Sequence, residues 1–389
     1  MPASDDSASH FATKHGHVRV VASSREIGRA CWAKALSAHA KDARFYEIVE
    51  QTLPRQFEYR YFILENAGTG AIAVQPFFFV KQDLAAGLPA RIRGGLDRIR
   101  KVWPNFLSMK MMMVGCAAGE GQLDSEELWV VESLHEVLEK YARQARASII
   151  LLKDFPHTYR QALATFSNDG YRRVPSMPAA KLDLDFATFE DYMSNKLGKV
   201  FRKNLRRKFK DASTFAPVTM EVVSDVTPFV EEIFPLYQQT FHRSDFRFEE
   251  LTREFFCEIG KRMPDRARFF LWRQNGRLIA FNLSLVHDET LYDLDVGMDY
   301  GVALDMHMYF VTWRDMVQWA LENGLRTYHT GPLNYDPKLH LKLDLAPQDL
   351  YARHTSRWIN PLFKIAIAWL QPARHDPVIA RFANAHELL

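Results

Sequence analysis

The chain has 389 residues, 47% of them hydrophobic and 25% charged, with a net charge of +3. That length allows two domains with substantial cores, and the balance is ordinary for a soluble globular protein. Cys31, Cys116 and Cys257 are few, odd in number and far apart, so they suggest neither a disulfide framework nor a zinc site, which fits a reducing compartment.

Residues 1–17 are polar, lack the apolar core of a signal peptide and read as a disordered lead-in. No uninterrupted apolar run approaches the ~20 residues that cross a bilayer. Glu26 to Ala40 and the stretch up to Thr52 read as helical surface segments. Tyr59 to Glu65 and Ala71 to Val80 read as a strand pair joined at Gly68-Thr69-Gly70, and residues 82–120 as irregular. Asp124 or Ser125 caps a helix whose stripe is Val130, Leu134, Val137, Leu138, Tyr141 and Ala145. Ser148 to Lys153 is a buried-type strand. A helix opening at Pro156 and ending near Gly170 precedes a strand from Ala179 to Leu184.

Phe189 to Ala212 links this half to the next. Lys196, Lys199, Arg202, Lys203, Arg206, Arg207, Lys208 and Lys210 cluster there with no acid among them. Leu197, Phe201, Leu205 and Phe209 recur every four residues, so one narrow helix face packs. The plain reading of the rest is a solvated face; the functional one is an electropositive wall for a phosphate-bearing partner. Helices follow from Asp225 to His242 and from Phe248 to Arg262, with His242 at the loop between them.

Asn275-Gly276 between apolar runs predicts a two-residue hairpin turn. After it, Ile279, Phe281, Leu283 and Leu285 fall on one strand face. A turn over Asp288 to Thr290 leads into a strand with Tyr292, Leu294 and Val296 on one face and Asp293 and Asp295 on the other. From Met306 the spacing is helical, with Asp305 as N-cap and Gly324 just past the end. Leu325 to Thr330 is a short returning strand. At residues 360–370, Asn360-Pro361 starts an apolar helix. Burial against the domain is the plain expectation for it; a helix lying in a membrane interface beside Arg353, Arg357, Lys364 and Arg374 is the sharper one.

The order of these elements, the strand LYDLDVG, the aromatic helix ending in ENGL and the turn HTGPLNYDPK together resemble the Fem-related, BioF2-like or FemAB-like branch of the GNAT acyltransferase superfamily. The resemblance is clearest from Tyr237 to Arg353. It implies an α/β fold of two tandem GNAT-like halves, each a mixed, mainly antiparallel sheet flanked by helices. The halves fall at 18–188 and 189–375, the second beginning with the basic linker helix 189–212, and residues 376–389 form a tail. It also implies a glycine at a strand end followed by a lysine, here Gly331 and Lys338. Where ordinary acetyltransferases carry a glycine-rich phosphate loop, this chain has MDYGVALD with one glycine.

Acyl transfer to an amine needs a base for the ammonium proton, a donor to the tetrahedral oxyanion and a donor to the leaving group. Asp293 and Asp295 are candidate acid/base residues, because paired buried carboxylates push one pKa towards neutrality. His329 is a candidate base with an ordinary pKa near working pH. Tyr335 could protonate a leaving group and Lys338 could neutralise an anionic intermediate. Arg202, Arg206 and the helix start at Asp305 and Met306 are candidates for a donor's phosphates, and His242, Tyr292 and His307 for the acceptor. No nucleophile elbow, P-loop or HExxH motif occurs, so no metal is expected.

The expected activity is therefore N-acyl transfer from an activated donor, acyl-CoA as co-substrate, to an amine such as an amino-lipid or sphingoid base. Two alternatives stand beside it: a Fem-like transferase that uses aminoacyl-tRNA on a cell-wall precursor, and an inactive acyltransferase fold serving as a binding module for envelope assembly. The expected location is cytoplasmic, peripheral at the inner face of the membrane.

Overall fold

A computed structural model describes residues 9–83, 108–244 and 247–389. In chain order the first elements are β1 (His10–Thr13), β2 (Gly16–Val21), α1 (Arg29–Trp32), α2 (Ala43–Thr52), β3 (Glu58–Asn66), β4 (Ile72–Asp83) and β5 (Ser108–Val114). Then come α3 (Leu128–Gln144), β6 (Ile149–Pro156), α4 (Ala164–Asn168), β7 (Arg172–Pro175), β8 (Ala179–Asp183), α5 (Phe189–Asn195) and α6 (Lys199–Ala212). β9 (Val218–Val223), α7 (Val230–Arg243), α8 (Arg253–Arg262), β10 (Ala267–Gln274), β11 (Arg277–His287) and β12 (Thr290–Met298) follow. The last are α9 (Tyr300–Ala303), α10 (Met308–Glu322), β13 (Thr327–Thr330), α11 (Tyr335–His340), β14 (Asp344–Ala346), β15 (Gln348–His354) and α12 (Asn360–Trp369).

The architecture is α/β, with two sheets that are mainly antiparallel and flanked by helices. One has the order β1-β2-β3-β4-β5-β6-β15-β7 and the other β14-β8-β13-β12-β11-β10-β9. The chain forms two compact units, but they interleave rather than divide at residue 188. The first takes residues 1–36, 54–176 and 348–374; the second takes 37–53, 177–347 and 375–389. The expected boundary is corrected by strand pairing. β8 pairs with β13 and β14, while β15 from late in the chain pairs with β6 and β7. The lead-in is corrected as well, since His10–Thr13 and Gly16–Val21 already form a hairpin; residues 1–8 lie outside the described residues. So does most of the stretch expected to be irregular, of which Ser108–Val114 is a strand.

The second unit carries the candidate site residues. Its hairpin turns are those that tight loops demand: Asn275 and Gly276 both have positive φ (51° and 80°), as do Asp288 and Glu289 (47° and 56°). Gly324 ends α10 at φ 70°. On one sheet face, Phe270, Trp272, Ala280 and Leu291 pack with Trp313, Met316, Val317 and Ala320 of α10. On the other, Phe281 meets Phe256 of α8 edge-on, ring centroids 5.7 Å apart.

Helix α7 crosses β12 at Gly297. A Cβ there would lie 2.3 Å from the Phe281 ring and 2.6 Å from the backbone at Leu236 and Tyr237. Backbone cannot step aside as a side chain can, so Gly297→Ala is expected to destabilise the protein by roughly 1–3 kcal/mol. A calorimetric Tm equal to that of the wild type would show the helix free to shift.

Candidate active site

β12 and β13 pair in parallel from Thr290 opposite Thr327 to Asp293 opposite Thr330, and there the ladder stops. β12 runs on to Met298 against β11, while β13 gives way to a turn at Gly331. The strands therefore part at Asp293. Leu333 and Asn334, with φ of 73° and 52°, hold the turn in left-handed backbone that non-glycine residues adopt at a cost.

Asp293 and Asp295 do not share a face. The β11–β12 register places Ser284 opposite Asp293 and Leu283 opposite Asp295, so Leu294 is the extra residue of a β-bulge. Directly opposed residues share a face, and Leu283 and Ser284 point to opposite ones. The bulge thus sends the two carboxylates to the two sides of the sheet.

On the Asp293 side lies a buried polar network. Ser284 Oγ donates to Asn282 Oδ1 (2.6 Å), Asn282 Nδ2 donates to Asp293 Oδ1 (2.5 Å), and Tyr328 OH donates to Asp293 Oδ2 (2.5 Å). Lys338, only 5% exposed, donates from Nζ to the Gly331 carbonyl. Burial pulls the Lys338 ammonium down to about 8, against the opposing pull of Asp293. Tyr309 of α10 hydrogen-bonds Asn334, and burial together with Asp293 raises the hydroxyls of Tyr309 and Tyr328, so both hold their protons.

Asp295 occupies the other face. Burial first, then Glu249 and Asp293, push its carboxyl up to about 7, with Lys41 opposing. His329 lies opposite Tyr292 in the β12–β13 pairing, its ring 5.3 Å from that of Tyr292. Both belong to this face, Tyr292 on the same strand as Asp295 and His329 on the neighbouring one.

Other expected residues take different places. Tyr335 is buried, and its hydroxyl donates to the Pro178 carbonyl at 2.7 Å, so it serves the fold rather than a leaving group. His242 sits on the last turn of α7, not in a loop, and is exposed. Asp305 does not cap α10: His307, in left-handed conformation, holds that position, and the Met306 amide donates to Val302 O at 3.2 Å. Arg202 donates to the carbonyl of Ser194 at 2.8 Å and Arg206 pairs with Glu190, both turned to α5.

The cations beside the start of α10 are Arg207 and Lys208. Lys208 Nζ stands 4.8 Å over the Phe310 ring, and after burial these two cations hold the His307 imidazole below its ordinary pKa. Sequence reasoning does not single out Asn282, Ser284, Tyr309 or Tyr328. A signal for the first pair exists: N-x-S breaks the apolar run of IAFNLSLV on one strand face. Tyr309 and Tyr328 carry no comparable mark. Among the described residues no group of His, Cys, Asp or Glu is placed to hold a metal, and no helix is long and apolar enough to cross a membrane.

Residues 199–339 match the family of the acetyltransferase (GNAT) domain. Among solved structures, FemX is similar at TM-score 0.53 and 12% identity, over 82% of this chain and 93% of that one. The C-terminal domain of a putative lysylphosphatidylglycerol synthetase from Agrobacterium fabrum is similar at TM-score 0.51 and 12% identity, over 87% and 96%. L-PGS from Bacillus licheniformis follows at TM-score 0.50 and 13% identity, over 84% and 95%. No curated protein matches the chain. The fold is that of Fem-like GNAT acyltransferases.

Proposed function

We propose that this Fem-like GNAT fold carries an N-acyltransferase that moves an acyl group from an acyl-CoA thioester to an amine, an amino-lipid or sphingoid base. One observation carries the reading. Where β12 and β13 part, a carboxyl that titrates near neutrality lies on one side and a buried lysine–tyrosine network on the other. Asp295 takes the proton from the acceptor's ammonium, and Glu249 adds negative charge that draws the cation in. The freed amine attacks the thioester carbonyl carbon, so a C–N bond forms and the carbonyl oxygen becomes an oxyanion. The Lys338 ammonium stabilises that charge. The C–S bond then breaks; the leaving thiolate takes a proton from the Tyr309 hydroxyl, and the second proton that the nitrogen gives up as the amide forms restores that hydroxyl. Asp293 acts through others, orienting Tyr328 and favouring the charged form of Lys338.

Arg207 and Lys208, beside the start of α10, suit the donor's phosphates in place of a glycine-rich loop. A second reading, transfer from aminoacyl-tRNA, is favoured by the exposed Lys199, Lys203, Arg207 and Lys210 along α6. Thermal shift separates the two. At a hundred times its Kd, acyl-CoA should stabilise the native protein by about 2.7 kcal/mol. Arg207→Glu with Lys208→Glu should weaken that affinity by about tenfold for each charge-assisted hydrogen bond to phosphate that is removed. Tight, salt-dependent binding of charged tRNA with no response to any CoA thioester would replace the first reading by the second. Turnover with neither donor would leave a binding module.

A further inference from the structure

Helix α12 presents an apolar stripe to solvent. Leu362 and Ile365 are 70% and 61% exposed, and Trp358 and Trp369 at the two ends of the stripe are 77% and 74% exposed. Positions 362, 365 and 369 recur at the spacing of one helix face, and Trp358 lies in the turn that leads into the helix. The opposite side holds the helix to its own unit. Asn360 accepts from the His354 amide and donates to the Gly170 carbonyl, each at 2.9 Å, and Phe363 lies against the His354 ring. The stripe is therefore held out by a fixed base and is left open to solvent by the described residues of its unit.

Charge selects the occupant. Between residues 355 and 375 there are three cations, Arg357, Lys364 and Arg374, and no acid. Arg357 lies over the Trp358 ring at 4.6 Å, at the edge of the apolar stripe. A second copy of the chain docking on this face about a two-fold axis would oppose like charges with nothing to answer them. An anionic bilayer answers both features at once. Its phosphates face the cations, its acyl boundary takes Leu362 and Ile365, and tryptophan favours the headgroup level between them. We infer that α12 is a docking helix that lies in the surface of an anionic phospholipid membrane. This goes beyond the reaction itself and does not depend on the donor.

The test is co-sedimentation of the full chain with vesicles of phosphatidylglycerol and phosphatidylcholine, against phosphatidylcholine alone. The wild type is expected to pellet with the anionic vesicles. Leu362→Glu with Ile365→Glu should reduce partitioning by at least about tenfold, since binding scales with buried apolar area. Arg357→Glu with Lys364→Glu should abolish the preference for anionic lipid. Vesicles with brominated acyl chains should quench the tryptophan emission of the wild type, a readout that needs no variant. Wild type left in the supernatant, unquenched tryptophan, or a stripe variant that pellets undiminished would overturn the inference. So would a concentration-dependent dimer dissolved by the same stripe variant, which would make the face an interface between copies.

Discussion

Asp295→Asn is expected to slow acyl transfer by about two to four orders of magnitude, the usual worth of a positioned general base. The wild-type rate should fall as pH drops through about 7, where burial and Glu249 place the Asp295 carboxyl. That limb should vanish in the variant. A limb that survives belongs to the acceptor amine. Stability should move the other way. A carboxyl whose folded pKa is raised binds more protons folded than unfolded between about 4 and 7, so its contribution to stability is lost as pH rises across that window. Asp295→Asn removes the charge and should melt higher than wild type above pH 7. An active-site group held in its less comfortable state predicts this opposition of rate and stability. Asp293→Asn is the contrast: with a single acceptor oxygen it can keep only one of the bonds from Asn282 and Tyr328, and it should lower both stability and rate, with the acid limb intact. Wild-type turnover by a folded Asp295→Asn protein would move the base to His329.

The parts of this site that are legible in sequence are those governed by local backbone. Asn275-Gly276 reads as a hairpin turn because both residues must take positive φ, and few other pairs do so cheaply. Helix α10 is legible from its apolar spacing, although its start is shifted because His307, not Asp305, turns the chain into it. The bulge at Leu294 has no such signature. DLDVG alternates perfectly as written, and only the pairing with β11 inserts the extra residue that separates Asp293 from Asp295. Tyr335 and Lys338 lie three apart on α11 and read in sequence as one functional pair. Their partners, the carbonyls of Pro178 and Gly331, are far apart in the chain, and that difference divides structure from chemistry. Sheet membership is illegible for a similar reason. QDLYARH reads as a strand in either unit, and what places it between β6 and β7 is pairing over long sequence distance.

Lys338→Met should keep the buried volume, remove the charge and lower kcat by about a hundred- to a thousandfold, the cost of deleting one preorganised donor to an oxyanion. The pH dependence identifies the form that acts. Burial lowers the folded pKa of Lys338 to about 8, so the unfolded chain binds the extra proton between there and the ordinary lysine value. Stability contributed by this group therefore rises with pH across that window, whereas catalysis by the ammonium falls as pH climbs through about 8. The wild type should accordingly show a narrow bell, Asp295 setting the acid side and Lys338 the alkaline side, each as a macroscopic value of coupled groups. In Lys338→Met the alkaline limb should disappear and the Tm should hold or rise at neutral pH, because a buried cation has been removed. Tyr335→Phe is the matched control: it loses the bond to Pro178, should cost stability, and should leave kcat and both limbs in place. A Lys338→Met protein with wild-type kcat would reduce the lysine to packing, and the oxyanion would then have to find its donors along the edge of β12 where β13 departs.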